Sequence, residues 1–423
     1  MRILLTAAIL GLCLAAGCSR KPLEVKLVAE TQITHGGSDT EIEAMAPSET
    51  VAKRAIAAAN LESGTCYGRL NPDLEPSAEW LKGDEAARKD PHQAPSDVWL
   101  INHLAGQSAA DVDGLTLSCL AAAKEIYEAS HGAFDPTVGP IIELWIKAEA
   151  EGREPAPEEI AQARRLLGMD RLSLGASIVS SAPPAVVEPN ARTPRAAPPA
   201  PPAPPKMAAT GYSAGLPEAG MRLDLGGIVK GYVAGRMVQR MKQAGAVAGM
   251  VTEGGCRVAF GERPPYLAPA GEDPAWTVIV PDPRDPDVTY TSIRLKDASS
   301  YTSRWLYRGY AIGGKHFSHI IDPKTGRPVA SPIASVTVIS PDATLAQAMA
   351  TAIPVLGVKD GLEMVAARPG AECLILEVGP PAGSPPGTPP PPADASGLVP
   401  EEATLIPHRS AGFAALEVPA AEK

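Results

Sequence analysis

Ten prolines fall between residues 182 and 205, in a run that includes APPAPPAPP. Proline has no amide hydrogen and a fixed φ, so this stretch favours extended polyproline geometry and cannot donate a hydrogen-bond ladder. Residues 379–400 repeat the pattern. A core must therefore be assembled from what lies outside these runs, and 182–205 reads as a solvated excursion from a fold that resumes on its far side. The formal net charge of -10 supplies no basic face, which argues against nucleic acid as a partner.

The chain opens MRILLTAAILGLCLAAGC: one arginine, an apolar run over 3–16, then small residues before Cys18. The run is too short for a comfortable membrane span and ends as a signal peptide does. Residues 14–18, LAAGC, resemble a bacterial lipobox, with Ala15 where leucine is usual. A plain signal peptide cleaved nearby is the alternative. The expectation is an exported lipoprotein on the periplasmic face of a bacterial membrane, held by lipid on Cys18 and not by a spanning helix. Beyond this leader, Cys66, Cys119, Cys256 and Cys373 show no CxxC spacing, so zinc and thioredoxin-like readings have no support. Sequence leaves their pairing open.

An N-terminal arm and first strand occupy 19–45, with the strand over 25–33. Ser48 reads as the N-cap of a helix to about residue 61, carrying Val51, Ala55 and Ile56 at helical spacing. A polar, turn-rich region follows to 95. Leu120, Ala123 and Tyr127 form one stripe of a helix over 115–129, and Pro157 opens a shorter one. After the insert come a strand at 221–225, a tight turn at Gly226-Gly227, and a helix with Val229, Val233, Met237 and Met241 on one face. Strands are expected at 247–251, 276–280, 290–295, 333–340 and 372–378, with helices at 345–352 and 359–367. The pattern predicts an α/β chain of the mixed α+β kind: one domain over 46–378, with a mixed sheet and packed helices, interrupted by the Pro-rich insert. Residues 379–423 are expected to form a disordered tail.

Four polar stretches stand out. HGAFDPTVGP, 131–140, is a tight loop in which Asp135 either caps backbone amides or faces a ligand. LDLGGIVKGY, 223–232, lets a ligand approach backbone amides at a helix start, with Lys230 adding charge one turn in. Its spacing fits neither a Rossmann fingerprint nor a Walker loop. In the stretch 301–328, His319 is a candidate general base with Asp322 three residues on, or else a buried histidine satisfied by backbone groups. In TLAQAMATA, 344–352, Gln347 and Thr351 share a helix face and offer oxygens to a hard cation, on what is otherwise a packing helix.

Together, GAFDPTVGPIIELW, DLGGIVKGY, EGGC, TSR, SHIIDPKTGRPV, SVTVISP and AQAMATAIPVLG resemble, in order and spacing, the signature segments of the ApbE family of FAD:protein FMN transferases. The resemblance covers roughly 115–378. It implies FAD as substrate with Mg²⁺, cleavage of the pyrophosphate, transfer of FMN to a threonine of a target flavoprotein, and release of AMP. It further implies that Ala133, Phe134, Asp135, Asp224, Lys230 and Ile321 contact FAD and that His319 is the base. Gly227, Gln347 and Thr351 stand at its metal positions, with Gln347 in place of the family's aspartate. Arg304 replaces the TSG glycine, and Cys256 replaces an acidic residue after the glycine pair. The N-terminal flavin segments reduce to THGGSD, 34–39, and SDVWLIN, 96–102. These departures motivate one alternative, a flavin- or partner-binding relative without catalysis; an FAD pyrophosphatase giving free FMN and AMP is a further one.

Overall fold

The structure, a computed structural model, describes residues 25–33, 39–82, 93–178, 210–263, 274–304, 309–385, 387–391 and 399–418. The expected leader with Cys18, most of THGGSD and the Pro-rich stretch 182–205 lie outside the described residues.

Strands β1 (Lys26–Ile33) and β2 (Asp39–Ala46) pair antiparallel and lead into helix α1 (Glu49–Leu70), capped by the Ser48 hydroxyl. This helix outruns its expected end by two turns. Glu62, which read as the start of a solvated turn, is buried and accepts hydrogen bonds of 2.6 Å from both Arg236 and Arg240. A buried carboxylate paired twice over continues a helix that composition alone would stop.

Short helices α2 (Ala78–Leu81) and α3 (Asp97–His103) precede strand β3 (Ala110–Val112) and helices α4 (Gly114–Ala129), α5 (Gly139–Glu151) and α6 (Pro157–Arg164). Strands β4 (Ser173–Ile178) and β5 (Thr210–Gly215) pair antiparallel up to Ile178 opposite Thr210, so residues 179–209 join the two arms of one hairpin.

Helix α7 (Val229–Gln243) leads into β6 (Ala248–Glu253), β7 (Cys256–Phe260), and the hairpin of β8 (Trp276–Pro281) with β9 (Thr289–Leu295). Next come β10 (Ser299–Ser303) and two small hairpins: β11 (Gly309–Ile312) with β12 (Lys315–Ser318), then β13 (Ile321–Asp322) with β14 (Arg327–Pro328). Strand β15 (Ile333–Ser340), helices α8 (Ala343–Leu356) and α9 (Val358–Ala366), and strands β16 (Glu372–Pro381) and β17 (Ala403–Arg409) complete the order.

One eight-stranded sheet, in the order β1-β2-β6-β7-β10-β15-β16-β17, organises the molecule, and every pairing in it is antiparallel, where the sequence suggested a mixed sheet. Period-two alternation sends successive side chains to opposite faces. Cys373 and Ile375 point into the core beneath α1, α7 and α8, while Leu374 and Leu376 join Trp276, Val278 and Ile293 of the β8–β9 hairpin on the other side. Covered on both faces, β15 has all eight residues buried.

Two further expectations are corrected. Residues 221–225 are not a strand. The Asn102 amide donates to the Leu223 carbonyl (3.1 Å) and accepts from its N–H (2.7 Å), and Asp224 N–H donates to Pro136 O (2.7 Å). The backbone groups that would enter a ladder are met by a side chain and a loop. Nor do the described residues of 379–423 form a disordered tail. Strand β17 pairs with β16 along the sheet edge, Val418 N–H donates to Ser292 O (2.8 Å), and Phe413 is fully buried. Pro407 sits in β17, where an edge strand tolerates the missing donor.

Candidate active site

Three segments meet at one end of the sheet. The loop after α4 is held by the Ser130 hydroxyl, which accepts from Phe134 N–H (3.0 Å), and by Asp135, which accepts from the Thr137 amide (2.8 Å) and hydroxyl (2.6 Å). The Asp224 N–H to Pro136 O bond ties this loop to the turn before α7, where Asp224 in turn accepts from Gly226 N–H (2.8 Å). Trp145 Nε1 of α5 donates to Gly326 O (3.1 Å) and fixes the DPKTGRP turn, placing the adjoining bend with His319 alongside.

A cavity of about 380 Å³ opens where these segments converge. Ala133, Phe134, Asp135, Asp224, Gly227, Lys230, His319, Ile321 and Thr351 all line it, drawn from four separate stretches of sequence. Of the ten residues assigned from sequence to FAD, the base or the metal, Gln347 alone does not. Sequence reasoning missed Tyr301, Ser303, Tyr310 and Ile320 as lining residues, and Asn102 as the clamp on the turn. Alternation along β10 turns Tyr301 and Ser303 to one face, which was the available signal. For Tyr310 and Asn102 no local pattern pointed to the site.

The electrostatics follow from the burial. Asp135 has its pKa raised, first by burial, against the lowering effect of the two Thr137 hydrogen bonds. Burial also raises Asp224, opposed by Gly226 N–H and by the neighbouring charges of Arg222 and His319. Tyr310 is raised as well, by burial and then by the charge of Asp224. His319 is exposed, so the reading of it as a buried, satisfied histidine does not hold. Asp224 lies near enough to feel its charge, while the Asp322 side chain accepts from Lys324 N–H (2.8 Å) to shape the turn.

A divalent cation does not fit the residues present at the expected metal positions. Thr351 Oγ1 and Gly227 O are 3.2 Å apart, close to the spacing of neighbouring ligands on one small cation, but both are uncharged. Gln347, expected as a third ligand, is fully buried and turned elsewhere. Its Oε1 accepts from Gly231 N–H (2.7 Å), and its Nε2 donates to Gly226 O (2.8 Å) and lies 3.4 Å from the Tyr301 hydroxyl. Reversing the amide would set donor against donor and acceptor against acceptor, so the orientation is forced. Among the described residues no group of three His, Cys, Asp or Glu is placed to hold a metal.

A second cavity, of about 520 Å³, adjoins the first and shares Lys230, Tyr301, Ser303 and His319 with it. Arg257 and Arg304 line it, together with Asp39 and Glu41. Cys66, Cys119, Cys256 and Cys373 are free and buried. Cys256 lies in β7 with its thiol pushed up to about 12, chiefly by burial.

The family model described as "ApbE family" matches residues 84–375. An FAD:protein FMN transferase of Klebsiella pneumoniae is 26% identical over 380 residues, 88% of this chain and 92% of that protein. One from Treponema pallidum is 27% identical over 278 residues, covering 65% of this chain and 69% of its own. The crystal structure of the ApbE protein of Thermotoga maritima matches with a TM-score of 0.61 at 25% identity, over 93% of this chain and all of that one. The apo form of the flavinyl transferase ApbE of Pseudomonas stutzeri matches at 0.60 and 20% identity, over 93% and 97%.

Proposed function

The chain belongs to the ApbE family, and on that premise we propose that it is an FAD:protein FMN transferase. The observation that carries the reading is the convergence of the signature residues on one cavity. Ala133, Phe134, Asp135, Asp224, Lys230, His319 and Ile321 are far apart in sequence and line it together.

In the reaction proposed, the hydroxyl oxygen of an acceptor threonine attacks the FMN phosphorus of FAD. The bond from that phosphorus to the bridging oxygen breaks, and AMP leaves with the oxygen. His319, exposed at the junction of the two cavities, takes the hydroxyl proton. Asp224 beside it stabilises the imidazolium that results. Lys230, in the first turn of α7, offsets charge on the phosphates. Phe134 and Ile321 supply apolar surface for the flavin nucleotide. Mg²⁺ is the family's companion to FAD, but the donors at Gly227, Gln347 and Thr351 do not suit it, so no step here runs through a metal. The target is a flavoprotein carrying an accessible threonine. We place the protein outside the cytoplasm, anchored by lipid on Cys18, and no described helix is long and apolar enough to cross a membrane.

Incubating the protein with FAD and a threonine-bearing acceptor should give equal amounts of AMP and FMN-modified acceptor, followed by mass spectrometry. His319→Ala should abolish both products while leaving FAD binding in place. Free FMN without modified acceptor would identify a pyrophosphatase instead, with water in place of the threonine. FAD binding with no AMP release would identify a flavin-binding relative without turnover, the reading favoured by the missing carboxylate at Gln347.

A further inference from the structure

Gln347 and Arg304 are two departures from the family pattern at one place in the fold. The Gln347 amide, itself at the position of the expected carboxylate ligand, bridges Gly226 O and Gly231 N–H. Tyr301, whose hydroxyl lies 3.4 Å from that amide, lines both cavities. Three residues along, Arg304 lines the second cavity with Arg257, and Lys230 faces both. The site thus presents a neutral amide at the position of the expected carboxylate, and guanidinium charge lines the adjoining cavity.

We propose that this chain holds the diphosphate of its nucleotide substrate with fixed guanidinium charge, from Arg304 and Arg257 beside Lys230, and not with a divalent cation. The inference rests on the flavin-nucleotide reading above. Chemically, guanidinium forks pair with phosphate oxygens in two-point contacts that need no metal. The two arginines also stand close enough to oppose each other. Burial makes the Arg257 cation harder to hold, Arg304 adds to that, and Cys256 and Glu41 act against it. A diphosphate between them relieves this mutual repulsion with more charge than Glu41 supplies from the same lining. Gln347 completes the device as a neutral brace: its hydrogen bonds keep the turn shaped for a ligand without a metal to organise it.

The test is FAD titration followed by flavin fluorescence, with the full chain, in EDTA and in millimolar Mg²⁺. Equal affinity in the two buffers is expected. Arg304→Gly and Arg257→Gln should each weaken binding by about tenfold or more in both, as loss of a charge-assisted phosphate contact does. Mn²⁺ followed by electron paramagnetic resonance should find no site in the parent protein and a new one in Gln347→Asp. Binding that requires Mg²⁺, arginine variants that bind as the parent does, or a tight Mn²⁺ site in the parent would each overturn the inference while leaving the flavin reading intact. No binding of FAD in either buffer would overturn the flavin reading, and the inference with it.

Discussion

Gly231 and Gly227 show how much of the site is set by single atoms. A Cβ at Gly231 would lie 2.1 Å from Ala343 O, so α7 and α8 touch there backbone to backbone. At Gly227 it would lie 3.0 Å from the Phe134 ring and 3.1 Å from Thr351 Cγ2, filling the gap between two walls of the cavity. Gly231→Ala should cost about 1–3 kcal/mol through this overpacking, read as a lower urea midpoint. Asp135 gives a pH signature. Its folded pKa is raised by burial, so the native state binds the proton more readily than the unfolded chain. Stability from this group is therefore greatest below the ordinary carboxylate range and is lost as pH rises through the raised value. Asp135→Asn keeps an acceptor for the Thr137 bonds and removes the titration. The variant should gain stability relative to the parent as pH rises across that window, measured by urea unfolding at a series of pH values. The thiols are equally readable. Burial pushes Cys66, Cys256 and Cys373 up to about 12, so near pH 8 these three should resist a thiol reagent in native protein and react once it is unfolded.

Among the elements, legibility tracked local periodicity. The helix over 115–129 and the strand over 333–340 were visible because their apolar spacing repeats every 3.6 or every two residues, and the structure gives Gly114–Ala129 and Ile333–Ser340. Segment 221–225 has an apolar, strand-like composition, yet its partners are Asn102 and Pro136, about 120 and 90 residues away, and no local signal encodes them. The segments of the site were legible as motifs. The orientation of Gln347 was not, because it depends on two backbone groups of a different helix and turn. Strand β17 was hidden by the prolines around it, and its holding points are long-range: His408 to Glu377 at 2.7 Å and Phe413 inside the second core. Phe413→Ala should cost about 3–5 kcal/mol and expose the β8–β9 hairpin to protease, checked by denaturation and limited proteolysis.

On the scale of the molecule, the Pro-rich stretch 182–205 interrupts the sequence without interrupting the pairing of β4 with β5. Because Ile178 and Thr210 already face each other across β4 and β5, the connection between them can be any length that closes a hairpin. Replacing 182–205 with a short turn should preserve FAD binding and stabilise the fold by about 1–2 kcal/mol through reduced loop-closure entropy, measured by thermal and urea unfolding. The order of the main sheet has a different consequence. Its strands stand side by side in the same order as they occur along the chain, from β1 at one edge to β17 at the other. A polypeptide delivered amino end first therefore meets each neighbour already in place, and the sheet can grow from one side like a fabric on a loom. What stays open longest is the margin beside β16, which waits for the last strand to arrive.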